Sequence, residues 1–95
     1  MAIEVTDEAV EVLKRSMKLG NVDTTTGGIR IRMAKALGGG SDVQVELADG
    51  AREGDGIVEL DGLRLFVDAS IAETIPDAIV AVEPQHENIV VRPAR

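Results

Sequence analysis

The sequence contains no cysteine, tryptophan or tyrosine, and Phe66 is its one aromatic residue among 95. Without thiols there are no disulfides, no thiolate metal ligands and no cysteine nucleophile, and nothing in the sequence speaks to a redox compartment. Without aromatic platforms there is little on which nucleobases can stack. Cations are short as well: ten Lys and Arg stand against seventeen Asp and Glu, a net charge of −7. A phosphate backbone and an anionic membrane are both repelled on average, so nucleic-acid and membrane partners are disfavoured. No apolar run approaches the ~20 residues of a membrane span. Met1-Ala2-Ile3-Glu4-Val5 also lacks the basic and apolar regions of a signal peptide. The expected location is the cytoplasm.

What is present is aliphatic. Hydrophobic residues make up 44% of the chain, chiefly Val, Ile, Leu and Ala, enough for one core in one domain spanning residues 1–95. Ile3 to Val5 reads as a strand. Thr6 then caps a helix whose Val10, Leu13 and Met17 recur at helical spacing, with Ala9 and Val12 at the margins and Gly20 at its C′ position. From Gly28 the period changes to two: Ile29, Ile31 and Met33 alternate with Arg30 and Arg32. Val43, Val45 and Leu47 alternate with Gln44 and Glu46 in a second strand. Paired antiparallel, these strands set Arg30 or Arg32 near Glu46 on an exposed face.

Asp61-Gly62 between two apolar runs, Ile57 to Leu60 and Leu63 to Val67, predicts a tight hairpin. Asp68 or Ser70 caps a short second helix carrying Ile71, Ala72 and Ile75 and ended by Pro76. Ala78 to Val82 and Ile89 to Val91 form a closing strand pair around a polar turn. Hairpins dominate and no βαβ series runs through the chain. The expected class is α+β, with mainly antiparallel or mixed sheets and two short-to-medium helices.

Several groups invite a chemical reading. His86 lies in the turn between Gln85 and Glu87 and reads as an exposed turn residue. The competing reading makes it a metal ligand with Glu87 or Glu83. Gly38-Gly39-Gly40-Ser41 joins two strands, with no helix behind it and no Lys-Ser or Lys-Thr ending. A flexible loop therefore fits it better than a phosphate cradle. Asp49, Glu53, Asp55 and Asp61 do not follow calcium-loop spacing and read as a solvated acidic rim. Ser16, Ser41 and Ser70 have only His86 as a base and no nucleophile motif around them, so no catalytic residue is assigned.

The β–α start, the Gly28-Ile29-Arg30-Ile31 strand and the glycine loop come in a characteristic order. The Val45-Glu46-Leu47 strand, the Asp61-Gly62 hairpin ending Phe66-Val67-Asp68 and the short helix complete it. In that order and spacing the chain resembles the HesB/IscA family of A-type iron–sulfur carriers over nearly its whole length. The resemblance implies that fold, together with dimers or tetramers. Family members hold iron or clusters on one cysteine in the glycine loop and on a C-terminal Cys-x-Cys. Here the loop reads Ala36-Leu37-Gly38-Gly39-Gly40-Ser41, and the sequence runs out at Arg92-Pro93-Ala94-Arg95 without the pair.

Clusters need soft thiolates, with imidazole an occasional substitute. The expectation is thus a cysteine-less, non-enzymatic HesB-like domain without cofactor, acting through an unknown protein partner. The alternative is an iron or other metal carrier using oxygen and imidazole ligands.

Overall fold

A computed structural model describes residues 2–23, 25–35, 38–60, 62–75, 77–83, 85 and 88–93. In chain order these form β1 (Ala2–Val5), α1 (Asp7–Leu19), β2 (Gly28–Lys35), β3 (Ser41–Ala48), β4 (Gly56–Leu60), β5 (Leu63–Val67), α2 (Ala69–Thr74), β6 (Asp77–Glu83) and β7 (Asn88–Pro93). They make an α+β fold with two mixed sheets, ordered β1-β6-β7 and β3-β2-β5-β4.

Each sheet combines local hairpins with one long-range parallel pairing. Strands β2 and β3, β4 and β5, and β6 and β7 pair antiparallel. β1 pairs parallel with β6 (Ile3 opposite Ala78), and β2 pairs parallel with β5 (Ile29 opposite Leu65). In the β4–β5 hairpin Leu60 stands opposite Leu63, and Gly62 takes the positive φ of 79° that a two-residue connection demands.

Helix α1 lies between the sheets and supplies the centre of the core. The Thr6 side chain accepts a hydrogen bond from the Ala9 amide, and Asp7 and Glu8 occupy the first turn, as the dipole favours. Ala9, Val10, Leu13 and Met17 are buried against Ile29 and Ile31 of β2, Leu63, Leu65 and Val67 of β5, Ile71 of α2 and Val80 of β6. The core is aliphatic as composition requires. Phe66, though buried, lies on the opposite face of its strand, outside this cluster.

One local reading needs correction and two are sharpened. Gly20 is the C-cap residue with an ordinary negative φ, and the left-handed position falls to Asn21 at φ 54°. Ala72 is exposed, while Ile71 and Ile75 carry the buried side of α2. Asp68 is the N-cap, and Ser70 bonds to it from within the first turn. Asp61, Pro76, His86 and Glu87 lie outside the described residues.

Gly28 sits where the backbones of β2 and β5 leave no room for a side chain. A Cβ there would stand 2.2 Å from the Arg64 carbonyl oxygen on β5, and backbone cannot swing aside as a side-chain tip can. Gly28→Ala therefore has to push the central strands apart. We expect a loss of ~1–3 kcal/mol in urea unfolding. A change within ~0.5 kcal/mol of wild type would contradict this packing.

Candidate functional site

Among the described residues, those singled out from sequence as catalytic or metal-binding candidates do not come together as one site. Gly38, Gly39 and Gly40 all have positive φ, at 86°, 100° and 79°, and a Cβ at any of them would meet nothing within 4 Å. The described part of the loop tip between β2 and β3 therefore has open space around its glycine backbone. Glu83 closes β6 opposite Asn88 of β7, so it sits at the mouth of the turn whose His86 and Glu87 are not described.

Ser16 donates to the Val12 carbonyl oxygen at 3.0 Å within its own helix. Ser70 donates to Asp68 and accepts from the Met33 amide at 3.2 Å, which uses its hydroxyl for capping and strand closure. Among the described residues, no three His, Asp or Glu side chains come together as a metal site.

The densest polar cluster is one that alternation misplaced. Arg30 is 3% exposed. Its Nη1 lies 2.5 Å from Asp55 Oδ2, and its Nη2 lies 3.0 Å from Asp55 Oδ1 and 3.3 Å from Asp68 Oδ1. The Asp55 side chain is 1% exposed, so Asp55 is no part of a solvated rim, whereas Asp49 and Glu53 are exposed as expected. Arg32, two residues on, makes the partly exposed contact to Glu46 that the strand pairing foretold, and a further one to Gln44. The backbone partner of Arg30 across β3 is indeed Glu46, but its guanidinium turns the other way.

Asp55 is delivered by a tight turn. Its amide donates to the Arg52 carbonyl oxygen at 3.1 Å, and Gly54 has φ 88°. A positive φ at the third position of a four-residue turn is the type II signature, and Arg52-Glu53-Gly54-Asp55 is the sequence signal that could have located it. Asp55 Oδ2 also accepts from the Arg52 amide at 2.7 Å. The pairing thus clamps the 49–55 connection to the far side of β2.

Asp68 joins this cluster to α2. Hydrogen bonds from the Ser70 hydroxyl and amide, followed by the Arg30 charge, hold its carboxyl below the usual carboxylate range. A lowered folded-state pKa contributes stability above the unfolded value of 3.8, and that contribution is lost as pH falls through the folded pKa. The side chain is 36% exposed, which keeps the contribution small.

No family model matches the chain. An uncharacterized protein of Bradyrhizobium diazoefficiens is 28% identical over 85 residues, covering 85% of this chain and 78% of that protein. Among solved structures, IscA with its [2Fe-2S] cluster superposes with a TM-score of 0.75 at 19% identity, covering 95% of this chain and 81% of that one.

The chain has the HesB/IscA-like fold. SufA of Escherichia coli, involved in the biosynthesis of iron–sulfur clusters, gives 0.72 at 16% identity over 96% of this chain and 77% of its own. A protein from Aquifex aeolicus gives 0.72 at 24% identity, covering 97% and 91%. On this HesB/IscA-like scaffold the present chain carries no cysteine at any position. Its carboxylates and one imidazole do not fit an iron–sulfur cluster, which requires thiolate donors.

The Arg30–Asp55 pair is testable. Removing one partner of a buried pair strands the other charge, so Arg30→Met or Asp55→Asn is expected to cost ~3–5 kcal/mol in chemical unfolding. The double variant Arg30→Met/Asp55→Leu should cost clearly less than the sum of the single changes, with a coupling of at least ~1 kcal/mol. Additive single effects would show that the two side chains do not depend on each other.

Proposed function

We propose that this protein is a non-enzymatic accessory module, one HesB-like domain over residues 1–95, that has kept the carrier fold and lost the carrier's cluster chemistry. It acts through contacts with another protein, in the cytoplasm. The observation that carries this reading is the absence of every thiolate from a chain whose fold matches IscA over 95% of its length. The loop at Gly38 to Gly40, where the family resemblance puts a ligand cysteine, offers only glycine backbone.

The HesB/IscA-like fold also brings to this chain the expectation of work near iron–sulfur cluster biogenesis, in an assembly with itself or with a carrier. A fold alone does not carry a chemistry, and here the donor set argues against direct transport of clusters. The second reading, an iron carrier with oxygen and imidazole ligands, rests on the proximity in sequence of Glu83, His86 and Glu87. Hard carboxylates with a single imidazole suit a labile divalent ion far better than a cluster.

Anaerobic purification followed by iron and sulfide analysis separates these readings. The accessory role predicts neither element in stoichiometric amount, and equal, roughly millimolar Fe²⁺ affinity for wild type and His86→Ala. Stoichiometric iron and sulfide would overturn it. A loss of ~10-fold or more in Fe²⁺ affinity on His86→Ala would establish the carrier reading in its place.

A further inference from the structure

Asp-Gly pairs are points where a chain can rewrite its own backbone, because glycine has no Cβ to shield its amide nitrogen from the preceding carboxyl. The sequence holds three, Asp49-Gly50, Asp55-Gly56 and Asp61-Gly62. Asp61 lies outside the described residues. The other two stand at opposite ends of the β3–β4 connection, in opposite surroundings.

Asp55 is held. Its side chain is 1% exposed, and Arg30 engages both carboxylate oxygens while the Arg52 amide donates to Oδ2. Those bonds turn the carboxyl back toward residue 52, and Gly56 is already paired with Val67 in the β4–β5 ladder. Reaction at this pair first requires the clasp to open, and a buried bidentate ion pair opens rarely.

Asp49 has no such restraint. It is exposed, and among the described residues its carboxylate has no hydrogen bond or ion pair. β3 has ended at Ala48, so no strand ladder fixes the peptide that follows. Gly50 does not have a left-handed φ, and a Cβ there would meet only the Thr26 carbonyl oxygen, at an ordinary 3.7 Å. The fold therefore makes no demand for glycine at this position.

We propose that Asp49-Gly50 is a self-modification site at which the folded protein forms isoaspartate. The Gly50 amide nitrogen bonds to the Asp49 side-chain carboxyl carbon and loses its proton, while the protonated carboxyl gives up its hydroxyl as water. Water then attacks the cyclic imide at the former main-chain carbonyl carbon. The bond from that carbon to nitrogen breaks, the nitrogen recovers a proton, and the chain now runs through the side chain. Water is released once and consumed once, so the composition is unchanged. The product carries an extra methylene in its backbone and a free carboxylate on the Asp49 Cα.

Both ends of the altered stretch stay anchored, Ala48 opposite Gly28 and Asp55 on Arg30. The new carboxylate is thus presented on a folded surface. It is a substrate for a carboxyl methyltransferase, which moves a methyl group from a sulfonium donor to the carboxylate oxygen and leaves a thioether.

The full-length protein is aged in mildly acidic buffer, folded and in urea, then digested with an endoprotease that cuts before aspartate and not before isoaspartate. Electron-transfer fragmentation assigns each product. Isoaspartate should accumulate at Asp49 at least ~10-fold faster than at Asp55 in the folded protein, and the two rates should converge within ~3-fold in urea. Gly50→Ala, which the backbone accommodates, should slow conversion at Asp49 by ~10-fold and leave the urea midpoint unchanged. With an isoaspartyl methyltransferase and its sulfonium donor, the methyl group should map to the peptide containing residue 49.

Equal rates at Asp49 and Asp55 in the folded protein, or undiminished conversion in Gly50→Ala, would overturn the proposal. So would an Asp49 that converts in urea and stays intact in the folded protein, because the connection would then be rigid at that point.

Discussion

A guanidinium withdrawn from water must be met by carboxylate, and that requirement organises one whole side of this protein. Arg30 stands on β2, between β3 and β5, in backbone register with Phe66 and facing away from the α1 core. Its bidentate partner Asp55 fixes the end of a connection that otherwise has little apolar content. Its second partner, Asp68, caps α2 and holds Ser70 where the hydroxyl receives the Met33 amide at the end of the β2–β5 pairing. One charge therefore ties together a loop, a helix start and a central strand. The Arg30 Nε remains without a partner among the described residues, so the cluster holds these elements in place at a real desolvation cost.

The opposite face of the same sheet obeys a simpler rule. Ile29, Ile31, Leu65 and Val67 close on Leu13 and Met17, and the second sheet adds Val80 from the other side. This aliphatic layer was legible in the sequence because its signals are local: a capped helix with apolar residues three and four apart, and strands with a period of two. The parallel pairings were not legible. β1 meets β6 and β2 meets β5 across long stretches of chain, and no local pattern announces which strands become neighbours.

The Arg30 cluster was missed for a related reason. Alternation assigns Arg30 to a solvated face, and Asp55 looks like one more acid in an acidic connection. Only the Arg52-Glu53-Gly54-Asp55 turn hinted that this acid is aimed inward. The resemblance to HesB/IscA carriers travelled further than any single element, since it rests on order and spacing along the whole chain. The structural neighbours share that architecture at 16–24% identity, a level at which fold persists while site chemistry can diverge.

On the proposed reading, an aliphatic layer and an ionic clasp hold a HesB/IscA-like fold that has no thiolate, and no metal adds to its stability. Calorimetric unfolding of the protein as isolated, before and after exhaustive treatment with a chelator under reducing conditions, tests that claim directly. The account predicts coincident transitions. A fall in Tm of ~4 °C or more would contradict it, because a shift of that size in a chain this short corresponds to ~1 kcal/mol of stability supplied by a bound metal.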